Sequence, residues 1–168
     1  MFKVSSLRGA VGSLLMALAV CVGCKAATHS PIPAATTDDS LAPAPGKQTA
    51  VFAGGCFWGT QSVFERVKGV VKTTVGYAGG SANTATYDQV TTETTGHAES
   101  VKVDYDPSKI TYGQLLRIFF SVAHDPTQLN RQGPDVGTSY RSAIFYENDE
   151  QKRIAESYIA PDRMGQPP

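Results

Sequence analysis

The order in which the hydrophobic period changes between residues 49 and 160 constrains the fold more than any other feature of this sequence. TAVFAGG is a short apolar run closing on two glycines, which suits a buried strand. FWGTQSVFERVKG follows at once, with Phe57, Val63, Phe64 and Val67 at helical spacing and Gly69 as the expected stop. VVKTTVGYAGG is rich in β-branched residues and predicts a strand. HAESVKVDYDP sets Ser100, Lys102 and Asp104 against Val101, Val103 and Tyr105, the alternation of a half-buried strand. TYGQLLRIFFSVAH reads as an amphipathic helix capped by Thr111. SAIFYE reads as a strand, and NDEQKRIAESYIA as a helix capped by Asn148 or Asp149. Strand, helix, strand, strand, helix, strand, helix is a split βαβ order. The expected fold class is therefore α+β, a mixed sheet with a split βαβ (ferredoxin-like) core covered by helices. Two stretches interrupt the pattern. SANTATYDQVTTETTG is polar and turn-rich, with Tyr87 and Val90 as its anchors, and DPTQLNRQGPDVGTSYR is a loop long enough to suggest a functional role.

The amino-terminal part has a different character. Lys3 and Arg8 precede the apolar stretch VGSLLMALAVCVG, the two parts of a secretory signal. A membrane-spanning helix needs roughly 20 apolar residues, more than this stretch supplies. Its end resembles a bacterial lipoprotein signal, in which a cysteine after a small residue is lipidated. Cys24 follows Val22-Gly23 and is the preferred candidate; Cys21 after Val20 and plain cleavage near Ala26 or Ala27 stay open. The Ala-, Thr- and Pro-rich stretch that follows reads as a flexible tether. The expected organisation is a signal peptide at 1–24, a linker at 25–48 and one domain at 49–168. The corresponding location is outside the cytoplasm, periplasmic or held to a membrane only through a lipid anchor.

Composition closes several alternatives. The 168 residues suit one domain with its own core. The 15 basic and 15 acidic residues give a formal net charge of zero, which argues against a nucleic-acid partner. Of the three cysteines only Cys56 lies in the domain, so neither a disulfide framework nor a cysteine-rich zinc site is expected there. No metal is expected, and the domain is read as a monomer.

Cys56 falls where a strand gives way to a helix, in GGCFWG, beside the only tryptophan of the chain. Unpaired N–H groups at a helix start stabilise a thiolate and lower the pKa of the thiol. Gly54 and Gly55 let a substrate approach the backbone, and Phe57 and Trp58 supply apolar walls. An inert cysteine at a tight turn fits this local pattern equally well. Glu99 follows His97 in TGHAES; in apolar surroundings its carboxyl would stay protonated and able to donate, whereas on a solvated strand face it would be an ordinary surface acid. Asp135 and Tyr140, in GPDVGTSYRS, are either turn formers or site residues, and Tyr77 and Tyr87 are equally ambiguous. His-Ala-Glu lacks the downstream cysteines of a zinc deaminase. A cysteine hydrolase would need His97 or His124 as base, and the chain is short for such a fold.

Taken in order, GGCFWG, GYAGG, TYDQV, TGHAESVKVDYDP and HDPTQLNRQGPDVGTSYRSAIFY resemble the A-type peptide methionine sulfoxide reductases, from Thr49 to about Ala160. The resemblance implies an α+β fold and the reduction of methionine-S-sulfoxide, free or in proteins, to methionine. It implies that Cys56 attacks the sulfoxide sulfur, that Glu99 protonates the oxygen, and that Tyr87 and Tyr140 hold that oxygen. It assigns Phe57 and Trp58 to the pocket for the substrate methyl and Asp135 to a polar position in the same site. No cofactor is implied beyond an external thiol reductant such as thioredoxin. The chain departs from the family pattern twice. No cysteine follows Cys56 to resolve a sulfenic acid, and SYIAPDRMGQPP ends where family members continue. The expectations are then an enzyme reduced directly by an external thiol or, as the alternative, a truncated and inactive lipoprotein remnant.

Overall fold

The structure, a computed structural model, describes residues 37–159. The expected signal peptide, Cys24 and Cys21, and the first part of the expected linker lie outside the described residues. Strand β1 (Gln48–Gly54) leads into helix α1 (Phe57–Phe64), and β2 (Val70–Ala78) follows. A short helix α2 (Tyr87–Val90) precedes β3 (Ala98–Tyr105), and α3 (Tyr112–Ile118) runs on into a π-helical turn at Phe119–Ala123. The long loop carries the two-residue strands β4 (Arg131–Gln132) and β5 (Asp135–Val136). Strand β6 (Ser142–Phe145) and helix α4 (Asp149–Ile159) complete the order.

The four long strands form one sheet in the order β2-β3-β1-β6. This is the split βαβ arrangement: β3 lies between β1 and β2, and β1 between β3 and β6. All three pairings are antiparallel, where a mixed sheet was expected. The reason is topological. Each helical crossover skips one strand, so parallel strands never become neighbours.

The helices cover the sheet through Phe64 of α1, Tyr112, Leu115 and Leu116 of α3, Phe119, and Ile154, Ala155 and Tyr158 of α4. They meet Ala50, Phe52, Val101, Val103 and Tyr105. Phe52 is the hub, with ring centroids 5.2 Å from Phe64 and 4.9 Å from Phe119. Strand β3 departs from its expected half-burial: only Lys102 is exposed. Its polar residues are engaged by neighbouring groups rather than by water. Asp104 accepts from Thr49 Oγ1 at 2.9 Å and pairs with Lys47 at 3.0 Å, while Ser100 Oγ donates to Ala98 O at 2.9 Å.

Caps set the helix ends. Thr111 forms a capping box with Gln114, and Asn148 Oδ1 accepts from Gln151 N–H at 2.8 Å, which settles the cap of α4. Helix α1 ends at Phe64, earlier than the glycine stop predicts. Turns at Val67 and Val70 then carry the chain through Gly69 at φ 97°. The stretch 37–47, expected to be tether, is held to the domain. Asp38 accepts from Gly113 N–H at 2.8 Å and Thr111 Oγ1 at 2.5 Å, and Ala42 N–H donates to Pro107 O at 2.9 Å.

Candidate active site

Three segments meet at the end of the sheet where β1 passes into α1. The first is the β1–α1 turn. Gly55 sits at φ 87°, and a Cβ there would stand 2.5 Å from Gln132 Cβ and Cγ. A Cβ on Gly54 would stand 2.9 Å from both His124 Cβ and the Phe119 ring. Only glycines let the chain turn this tightly beneath the 119–132 loop. Cys56 follows as the N-cap of α1; it is a free, half-buried thiol, and its carbonyl accepts from Gly59 N–H at 3.1 Å.

The second segment is the start of β3. Glu99 lies on the strand face that carries Val101 and Val103 and is only 9% exposed. Its Oε2 accepts from Phe57 N–H at 2.9 Å, which puts the carboxyl one residue from the thiol. A first-turn amide that the sequence reading offered to the thiol is thus used to hold the acid. Burial raises the pKa of Glu99; the Phe57 amide opposes the shift, and the charges of Asp135 and Glu93 reinforce it. The carboxyl is therefore biased toward the protonated form that can donate.

The third segment is the long loop with its hairpin. Tyr140, half-buried in a 3-10 turn, has its pKa raised by burial and then by the charges of Glu99, Asp135 and Cys56. The hydroxyl of Tyr140 therefore feels the charges of the acid, of Asp135 and of the thiol. Tyr77, on β2 opposite Glu99, is raised by burial, by Glu99 and by Tyr87. Phe57 stacks edge-on with Trp58 at 5.2 Å and lies 5.9 Å from Tyr77. The result is an aromatic wall beside Cys56, with Trp58 63% exposed at its rim.

The structure thus gathers Cys56, Phe57, Trp58, Glu99, Asp135 and Tyr140. Tyr87 stands at the edge: it is 67% exposed and linked to the others through Tyr77. The sequence reading cast it as an anchor, but in that stretch Val90 is the buried residue. The two histidines offered as alternative bases serve the scaffold. His97 Nδ1 accepts from Gly80 N–H at 3.2 Å and its Nε2 pairs with Ser81 O at 3.0 Å. His124 stacks on Phe119 at 4.0 Å, its Nδ1 pairs with Phe119 O at 3.0 Å, and burial lowers its pKa. Among the described residues no cluster of His, Cys, Asp and Glu gathers as metal ligands would.

Sequence reasoning missed three residues that hold the site together. Gln132 clasps Asp125 in both directions, accepting from its N–H at 3.0 Å and donating to its carbonyl at 2.7 Å, and so lies across Gly55. Arg141 donates to Gly96 O, His97 O and Thr138 O. Glu93 takes hydrogen bonds from Thr138 and Ser139. The one available signal for Glu93 was a lone acid in the threonine run TTETT.

Comparison with known proteins fits this geometry. The family model described as peptide methionine sulfoxide reductase matches residues 48–165. A peptide methionine sulfoxide reductase MsrA 2 from Mesorhizobium japonicum is 67% identical over 116 residues, 69% of this chain and 60% of that protein. One from Synechocystis is 56% identical over 114 residues, 68% of this chain and 53% of that protein. The structure of methionine sulfoxide reductase A from Corynebacterium diphtheriae superposes with a TM-score of 0.63 at 41% identity, covering 70% of this chain and 57% of that one. The chain therefore spans between about half and three fifths of the length of these relatives. Over the shared region its identity and fold leave one assignment: the chain belongs to the peptide methionine sulfoxide reductase family.

Proposed function

We propose that this protein reduces methionine-S-sulfoxide, free or within proteins, to methionine. The observation that carries the reading is the Glu99 carboxyl. It is buried, biased toward protonation, and hydrogen-bonded to the amide next to the Cys56 thiol. Attack by Cys56 Sγ on the sulfoxide sulfur makes the oxygen a leaving group only if that oxygen gains a proton, and Glu99 supplies it. Tyr140, and Tyr87 once substrate is bound, donate hydrogen bonds to the oxygen as charge develops on it. The substrate methyl rests against Phe57 and Trp58, and Asp135 lines the polar side. The oxygen passes to sulfur. Methionine leaves, and Cys56, oxidised by two electrons, remains as a sulfenic acid. Two thiol groups of an external reductant, such as those of one thioredoxin or one small dithiol, return Cys56 to the thiol, leave as a disulfide and release water. The signal-like amino terminus supports a role in repairing exported proteins, from the periplasm or a lipid anchor at Cys24.

The test is turnover of the separate R and S epimers of a methionine sulfoxide peptide by the full chain with dithiothreitol, with Cys56→Ser as control. Turnover of S alone, abolished in the control, is expected. A folded protein that turns over neither epimer would overturn the reading. Trapping with dimedone after one turnover without reductant checks the intermediate: a single adduct on Cys56 is expected.

A further inference from the structure

The two hydroxyls proposed to hold the sulfoxide oxygen are both carried on short helical turns, outside the pairing of the main sheet. Tyr87 opens the short helix α2, and Tyr140 ends a 3-10 turn after the β4–β5 hairpin. Something must fix these segments against each other and against β3, where Glu99 sits. Glu93 is placed to do so. It lies in the turn that ends α2, with its N–H donating to Val90 O at 3.0 Å. Its Oε2 accepts from Thr138 Oγ1 at 2.9 Å and from Ser139 N–H at 2.8 Å, and its Oε1 accepts from Ser139 Oγ at 2.5 Å. Ser139 is 4% exposed and directly precedes Tyr140.

The backbone around this clasp is shaped for it. Glu93 has φ 61°, a left-handed conformation unusual outside glycine, asparagine and aspartate. Opposite it, Gly137 has φ 148°, and a Cβ there would stand 2.6 Å from the Glu93 carboxyl carbon. A glutamate held where a glycine would be easier, facing a glycine that clears space for its carboxylate, is a built contact rather than a chance surface pair. Burial raises the Glu93 pKa, but the hydrogen bonds from Ser139 and Thr138 lower it by more, so the carboxylate stays ionised and accepting.

Resting on the reductase reading above, we infer that Glu93 is a positioning residue. Its carboxylate bolts the Tyr140 turn to the segment that carries Tyr87 and leads into Glu99, and so sets where the oxygen-holding hydroxyl stands relative to the acid. Glu93 does not touch substrate. Its effect belongs to the transition state, because a hydroxyl misplaced by about an ångström can cost on the order of a hundredfold in rate.

Three variants and two readouts test this. Glu93→Ala removes the clasp. Glu93→Gly removes it and also relieves the left-handed backbone, so it keeps the fold. Glu93→Gln can keep all three contacts, its oxygen accepting from Ser139 N–H and Thr138 and its amide donating to Ser139 Oγ. Expected with the S epimer is a kcat lower by about tenfold or more for Ala and Gly, KM within about threefold of wild type, and recovery in Gln to within about threefold. Amide exchange at Ser139 should be at least about tenfold faster in Ala and Gly and near wild type in Gln. Wild-type kcat in folded Glu93→Gly, or unchanged Ser139 exchange in it, overturns the inference. If the wild-type protein turns over neither epimer, the reductase reading falls, and exchange at Ser139 still decides whether Glu93 orders the Tyr140 turn.

Discussion

Replacing Gly55 by alanine adds one methyl group at the most confined backbone position beside the thiol, and its cost can be worked out. At φ 87° an L residue is strained by roughly 1–2 kcal/mol. The new Cβ would stand 2.5 Å from both Gln132 Cβ and Cγ, the near part of that side chain rather than its flexible end. Gln132 cannot swing aside freely, because its amide is tied to Asp125 N–H and C=O at 3.0 and 2.7 Å. Relieving an overlap of this kind costs about 1–3 kcal/mol more. Gly55→Ala should therefore lose about 2–5 kcal/mol, with a melting temperature lower by on the order of 10 °C. Two neighbouring glycines provide the scale. At Gly54 a Cβ meets His124 and Phe119 at 2.9 Å with φ outside the left-handed range, so Gly54→Ala should cost less. At Gly59, inside α1, a Cβ meets nothing within 4 Å, and alanine should stabilise by about 0.5–1 kcal/mol. Urea denaturation of all three measures the series. If Gly55→Ala is as stable as wild type, then neither the left-handed turn nor the Gln132 strap is what holds Cys56 at the head of α1.

Other perturbations give distinct signatures. The Tyr112 hydroxyl is buried without a partner, so Tyr112→Phe should raise the unfolding free energy by about 1 kcal/mol, read in urea denaturation; a loss would mean that a buried water satisfies it. Asp38→Ala removes two hydrogen bonds to the start of α3 and should cost about 1 kcal/mol, with faster amide exchange at Gly113. Glu99→Gln keeps an acceptor for Phe57 N–H but has no proton to give, so turnover should fall by about a hundredfold or more. Its stability should move the other way. Because burial raises the folded pKa of Glu99 above 4.5, the wild-type protein loses stability as pH climbs from 4.5 through that raised value. The glutamine variant has no such loss, so its advantage in denaturation should be absent near pH 4 and present at pH 8.

How much of this molecule can be read from its sequence depends on the range of the interactions involved. The strands and helices are set by local period and caps, and β1, β2, β3, α3, β6 and α4 stand close to where TAVFAGG, VVKTTVGYAGG and their successors put them. What local period cannot show is which strands become neighbours. Alternation alone makes the polar side of β3 look wet, whereas Thr49 and Lys47 close over Asp104. Composition alone likewise makes 25–48 look like free chain, although Asp38 reaches an amide 75 positions away.

The same division runs through the site. Cys56, Phe57, Trp58, Glu99, Asp135, Tyr87 and Tyr140 are picked out by the motifs that the chain shares with the family; by local pattern alone Asp135, Tyr87 and Tyr140 read equally well as turn or packing residues. Glu93, Gln132 and Arg141 act through partners up to 46 positions away, and nothing in the letters marks a glutamate as a clasp. This bears on how such chains compare in rate. A substitution at Glu93 leaves every conspicuous residue in place, yet it frees the turn that carries Tyr140 from the segment leading into Glu99. On the proposed reductase reading, two sequences with the same chemical groups can then differ in kcat through the geometry between the Tyr140 hydroxyl and the Glu99 carboxyl. That difference lies in the loops, where a few hydrogen bonds to one carboxylate replace the pairing that a sheet would have supplied.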